Sequence, residues 1–264
     1  MKSFKRQNSY FTRNFVFFLI FIKYYEFLLY SFCEKYYIMD VLLCNGGIMN
    51  RLTKILPRYA WIPLIASVLL NILVYSGNRF ITTNMYHFNF SILPDQKIPF
   101  VAPMIIFYVL SYIAWVIGFV VIARESKEVC YEIMSAEQLA KLLCLVCYIA
   151  IPTTMVRAEI SGNGFFEWLT RLIYFADQPD NLFPSIHCLE SWMCFRGAMR
   201  CKKVGHKYKA FMLIFALLVF ASTVLVKQHV LVDILGGIAV VEISLFLVKK
   251  CKYLKIYSLL SING

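Results

Sequence analysis

Two short stretches hold the residues whose types and spacing could do chemistry: Asn181-Leu-Phe-Pro184-Ser185-Ile186-His187 and Lys227-Gln228-His229-Val-Leu-Val-Asp233. His229 and Asp233 stand four apart, so on a helix both face one side. A carboxylate that accepts a hydrogen bond from one ring nitrogen fixes the imidazole tautomer and leaves the other nitrogen free to attack. Pro184-Ser185 reads as the opening of a helix with Ser185 as its cap. Such a terminus presents unpaired backbone N–H groups and a positive dipole end, which suits an anion. His187 projects from that first turn and could act as an acid. Upstream Arg157 offers a bidentate fork and Lys227 a point charge for an oxyanion. A nucleophile, its orienting carboxylate, an acid and a cationic cradle are the parts of a phosphate-handling site.

Each residue alone has a plainer reading. A histidine at a helix end is usually structural, Asp233 could simply pair with Lys227, and Arg157 could anchor the chain at an interface. The combination outweighs these readings, because His229 and Asp233 lie in an apolar run, where an ionisable side chain is expensive and marks function by default. Glu190 and Glu242 also fall in apolar runs; Glu190, three residues after His187, is placed to support it.

The elements that must position these groups are membrane helices. Hydrophobic residues make up 60% of the 264 and charged ones 16%, with a mean hydropathy of +0.66, which excludes a soluble protein. The net charge of +12 would suit nucleic acid in a soluble chain. Here the basic residues form short clusters between apolar runs, so nucleic acid is excluded as a partner and membrane orientation explains them. Six apolar runs, roughly 59–76, 99–123, 139–156, 185–199, 210–226 and 230–248, approach the length of about 20 residues that a bilayer requires. The expected fold is all-α and polytopic, a six-helix bundle. One helix over residues 209–249 would be about 60 Å long, twice a hydrocarbon core of roughly 30 Å. The chain must therefore reverse near Lys227-Gln228-His229, although no Gly or Pro announces the turn. The 165–176 stretch reads as an amphipathic surface helix with Trp168 and Tyr174 at headgroup depth. Gly236-Gly237 reads as a close helix approach.

Basic residues between the runs alternate, sixteen on one side against five on the other, if Arg124, Lys127 and Lys141 are counted together in the second connection. By the positive-inside rule both ends of the core are cytoplasmic. Arg157, Ser185, His187, Lys227 and His229 then converge on the outer face, with the plasma membrane as the expected location. Residues 1–48 form a separate aromatic-rich segment, fourteen of them Phe or Tyr, and 49–264 the membrane domain. The first segment fits an interfacial or spanning helix or a signal, or the natural start is Met49. The nine cysteines are scattered, and Cys144-x-x-Cys147 reads as buried packing.

Pro184-Ser185-x-His187, then His229-x-x-x-Asp233, with Arg157 upstream, resembles the type 2 phosphatidic acid phosphatase superfamily. That group includes lipid phosphate phosphatases and vanadium haloperoxidases, and it is related to the inositol phosphorylceramide and sphingomyelin synthases. The resemblance covers about residues 59–248 and implies the six-helix core. It implies that His229 attacks phosphorus to give a phosphohistidine, oriented by Asp233, while His187 protonates the leaving alkoxide. Arg157, Ser185 and Lys227 would hold phosphate oxygens, with no metal and no cofactor. The implied substrate is a lipid phosphate or pyrophosphate, and the implied enzyme a phosphoric monoester hydrolase or related phosphotransferase. The chain departs from the family pattern at Ala150, where the first motif has Lys, at Ala158 for Pro, at Ile186 for Gly and at Thr223 for Arg. These losses of charge move the motifs toward the transferase branch. Two other readings stand beside it: a metal site on two histidines and a carboxylate, which leaves Pro-Ser and the cations unexplained, and a transporter or structural protein, for which no internal repeat is visible.

Overall fold

The computed structural model describes residues 55–251. The 1–48 segment, Met49, Lys252 and Lys255 lie outside them. In chain order the described residues form α1 (Arg58–Thr82), β1 (Phe88–Asn89), α2 (Leu93–Lys97), α3 (Ala102–Glu125), α4 (Lys127–Ala150), β2 (Thr153–Thr154), α5 (Phe165–Ala176), α6 (Ile186–Arg200), α7 (His206–Leu225) and α8 (Leu231–Lys250). Five of these, α1, α3, α4, α7 and α8, are long and apolar enough to cross a bilayer. The protein is an integral membrane protein with an all-α polytopic fold. At 15 residues α6 is too short to span by itself. It instead forms the centre of the bundle, packed on α3, α4, α7 and α8, with Cys188, Leu189, Met193 and Cys194 fully buried.

Local chemistry starts these helices where the sequence suggests. Ser126 accepts from Val129 N (3.2 Å) and turns α3 into α4 at a single residue. Ser185 accepts from Cys188 N (3.4 Å) at the start of α6. The reversal between α7 and α8 is closed without Gly or Pro. Lys227 takes a left-handed conformation (φ 52°), and the N–H groups of Gln228 and His229 both donate to Thr223 O (2.9 and 3.0 Å). One carbonyl thus does what a turn-forming residue would otherwise do.

The connections on the site's end of the bundle are knitted together. β1 and β2 pair in parallel, Phe88 with Thr153 and Asn89 with Thr154. Asn181 N donates to Thr153 O (2.7 Å), and Leu182 N and Phe183 N donate to Thr153 Oγ1. Three loops far apart in the chain therefore form one cap.

The third apolar run begins earlier than its hydropathy indicates. α4 starts at Lys127, and Lys141 lies inside it, 2% exposed, where the sequence places it in a loop. Its ammonium is paired with Glu137 one turn away and with Glu190 on α6 (2.8 Å), and it donates to Ser67 Oγ (3.1 Å). Paired in this way a lysine can remain inside the bundle, so Lys141 leaves the count of orienting loop charges. Glu190 accordingly serves the bundle interior and not His187. Glu242 accepts from Trp192 Nε1 (2.7 Å) and Arg196 Nη1 (2.8 Å).

Candidate active site

The starts of α6 and α8 lie against each other. Ser185 N donates to Asp233 O (3.1 Å), and a Cβ on Gly237 would lie 2.8 Å from Ser185 O, so only glycine lets α8 come this close. This contact sets the two histidines side by side.

His229 sits just before α8, and its Nδ1 is 3.1 Å from Asp233 Oδ2. The same oxygen accepts the N–H of Val230 (3.0 Å), so one carboxylate both caps α8 and orients the imidazole. Asp233 is completely buried and His229 nearly so. His187, in the first turn of α6, stacks on Tyr108 with 4.0 Å between ring centroids. Its Nε2 is 3.1 Å from Tyr112 Oη. The two imidazole centroids are 6.1 Å apart. Two contacts at hydrogen-bond reach span about 6 Å, so one small group between the rings can touch both.

His229 lies on the wall between two cavities. The larger, about 340 Å³, is also lined by Arg157, Lys227 and Asp95. Arg157 is held by the end of α5: its Nη1 donates to Tyr174 O (2.8 Å), and its Nη2 to Asp177 O and Gln228 Oε1. Its guanidinium lies 4.4 Å over the Tyr174 ring. Burial lowers the Arg157 pKa from its ordinary value, which still leaves an arginine charged. Tyr174 is not at headgroup depth; its hydroxyl donates to Val226 O (2.7 Å), and burial pushes its pKa to about 12. Phe165, Trp168 and Phe175 form the exposed apolar side of α5. The Lys227 ammonium, aimed into the larger cavity by its left-handed backbone, donates to Asp95 O (3.0 Å) and Ile98 O (2.6 Å), not to Asp233.

The smaller cavity, about 240 Å³, contains His187, Tyr112, Trp115, Asn71 and Asp177 beside His229. Asp177 is absent from the sequence motifs. Its carboxylate accepts the hydroxyls of Tyr75 and of Tyr108 (2.6 Å). Burial pushes the Asp177 carboxyl up, but the neighbouring His187 and these two hydroxyls outweigh it and hold it below its ordinary value. An acidic residue ending an amphipathic helix was the only trace of it in the sequence.

The structure thus brings His187, His229, Asp233 and Ser185 together at two helix starts. It sets Arg157 and Lys227 on the far side of His229. Ser185 lines neither cavity, since its hydroxyl is fully buried as the α6 cap. Asp95 was also missed; it accepts Leu231 N (2.9 Å) and Ile92 N (2.8 Å) and so ties α2 to α8.

No curated protein and no solved structure matches the chain. A family model described as the PAP2 superfamily matches residues 79–247, a stretch that includes Arg157, Ser185, His187, Lys227, His229 and Asp233. With the helical core in place and most of the chain matched, this membrane protein belongs to the PAP2 superfamily, that of the type 2 phosphatidic acid phosphatases, and its function is of the phosphatase or phosphotransferase kind.

Proposed function

We propose that the protein hydrolyses a lipid phosphate or pyrophosphate through a phosphohistidine on His229. The observation that carries this reading is the clamp on His229: Asp233 Oδ2 holds Nδ1 at 3.1 Å, leaving Nε2 as the nucleophilic nitrogen beside a cationic cavity. Nε2 attacks phosphorus while Arg157 and Lys227 offset the charge that develops on the oxygens. The leaving alkoxide takes its proton from His187 across the gap between the rings. His187, now neutral, accepts a proton from water, which attacks the phosphohistidine and frees phosphate. Asp233 stabilises the cationic ring in both steps. Ser185 acts through the backbone it caps, with the amides of α6 turned toward the anion.

The substrate enters from the bilayer, so the partners are membrane lipids and the cofactor requirement is none. The positive-inside rule supports cytoplasmic ends for the core and a site on the outer face of the plasma membrane; Arg196, Arg200, Lys202, Lys203, Lys207 and Lys209 border the opposite end of α6 and α7. Transfer to an alcohol is the second reading, favoured by one observation: His187 faces a cavity separate from the cationic one.

The test is phosphate release from purified protein with phosphatidate and an isoprenyl pyrophosphate, together with acid quenching to trap an acid-labile phosphoenzyme. Wild type should release phosphate and carry label on His229, and His229→Ala should do neither. Near-normal turnover by His229→Ala would end the phosphohistidine mechanism.

A further inference from the structure

The two cavities that meet at His229 have opposite chemistry. The larger one holds the cations. The charged groups lining the smaller one are carboxylates, those of Asp177 and Asp180. An anion is repelled there, and a hydrocarbon tail would strand the polar groups. Asp177 already accepts hydroxyls from Tyr75 and Tyr108, and Asp180 is paired with Arg79 (2.9 Å), so the carboxylates are matched to neutral donors and a further cation is not required.

Two acceptors in this cavity have no donor. Asn71 Oδ1 and Asn181 Oδ1 are both buried and without a hydrogen-bond partner, and Asn181 is only 7% exposed. Its amide nitrogen donates to Thr82 Oγ1 (3.2 Å), which leaves the oxygen unmatched. Orphaned buried acceptors are uncommon in folded proteins and call for a partner. They come from α1 and from the loop before α6, at separate points of one wall, so their missing donors must belong to something with several O–H groups. Tyr112 and Trp115 add flat apolar faces of the kind that pack against C–H surfaces. At roughly 30 Å³ per water, the volume of 240 Å³ corresponds to about eight waters, room for a five- or six-carbon polyol.

We propose that the smaller cavity binds a neutral polyhydroxylated alcohol, which takes the phosphoryl group from His229 in place of water. The inference rests on the phosphohistidine reading above and adds an acceptor to it. His187 lines this cavity and not the cationic one, where it can take a proton from a bound hydroxyl. In the transfer step the alcohol oxygen forms a bond to phosphorus and the P–Nε2 bond of His229 breaks. The hydroxyl proton passes to His187, and the P–N electron pair returns to His229 as the imidazole lone pair. The products are a polyol monophosphate and the resting enzyme; nothing is oxidised or reduced.

The experiment uses the full chain purified in detergent, radiolabelled phosphatidate as donor, and myo-inositol as the polyol probe with ethanol as comparison. The quantity read is labelled alcohol phosphate over free phosphate within each sample, which does not depend on how much of the protein is active. With myo-inositol the ratio should rise and saturate, whereas with ethanol it should rise linearly without saturating. Asn71→Leu should lower the limiting myo-inositol ratio by about tenfold, the worth of one net hydrogen bond. Free phosphate as the only product, a linear response to both alcohols, or an unchanged ratio in Asn71→Leu overturns the acceptor site while leaving hydrolysis intact. Loss of both products, with no label on His229, overturns the phosphohistidine reading and this inference with it.

Discussion

Asp233→Asn separates the two things a carboxylate can do for a catalytic histidine. In the serine-protease precedent the same change reverses the imidazole tautomer and costs about 10⁴ in kcat. Here the geometry argues for a smaller loss. The oxygen that meets His229 Nδ1 also accepts Val230 N–H (3.0 Å), while the other oxygen, Oδ1, is buried without a partner. An asparagine would therefore keep its carbonyl oxygen at the Oδ2 position, because turning its NH2 there would oppose one N–H with another. The tautomer and the cap both survive, and only the negative charge is lost. That loss matters when the ring becomes cationic. A charge-assisted hydrogen bond exceeds a neutral one by about 1–1.5 kcal/mol net, and two unit charges about 4 Å apart at an effective dielectric near 20 attract by about 4 kcal/mol. The expected fall in kcat is therefore between about tenfold and a thousandfold. Steady-state phosphate release gives the number, and thermal unfolding in detergent should be nearly unchanged. A loss of 10⁴ or more in a folded Asn variant would refute the argument from Val230, since it would mean the amide had turned.

Two further expectations follow from the bundle. Lys141→Met leaves Glu137 and Glu190 facing each other inside the core and should destabilise the protein by about 3–5 kcal/mol in a denaturant titration in detergent, with Glu137→Gln and Glu190→Gln added to it restoring most of that loss; wild-type stability in the single variant would count against the buried triad. Reporter fusions after Gly205 and after Lys252 should both report cytoplasm, and an external signal from either would reverse the orientation proposed for the site.

Most of the bundle was legible because apolar runs and alternating basic clusters carry it. What escaped has a common cause. Lys141 looks like the end of a loop because charges ordinarily end apolar runs, and its partner Glu190 is far along the chain with no local trace. Asp177 and Asp95 act on the site through side-chain and backbone bonds across loops, a pairing that composition does not encode. β1 and β2 are two residues each, too short for any alternation to reveal. The motif residues were readable at the level of type and spacing. Their division between two cavities was not, since it depends on which side of the His229 ring each loop arrives.

The departures from the family pattern make physical sense once the turn before α8 is seen. Thr223 stands where the resemblance calls for arginine, and it is completely buried, its hydroxyl donating to Phe220 O (2.8 Å) beside Cys188 of α6. Its carbonyl closes the turn by accepting from Gln228 and His229. A guanidinium there would have to pass between α6 and α7 or displace that packing, a charge without a partner in the bundle interior. Four residues on, Lys227 reaches the cationic cavity from the turn itself, with a left-handed backbone that aims its ammonium at the carbonyls of Asp95 and Ile98. The positive charge has moved from the helix to the turn. A lysine on a turn is a point charge with a mobile stem, where an arginine on a helix is a rigid fork. Arg157 alone then supplies bidentate geometry, and its Nη donors are already shared with Tyr174, Asp177 and Gln228. Such a cradle holds an oxyanion less rigidly than two forks would, so release of the phosphoryl group depends more on what stands ready at His187 than on the grip of the cations.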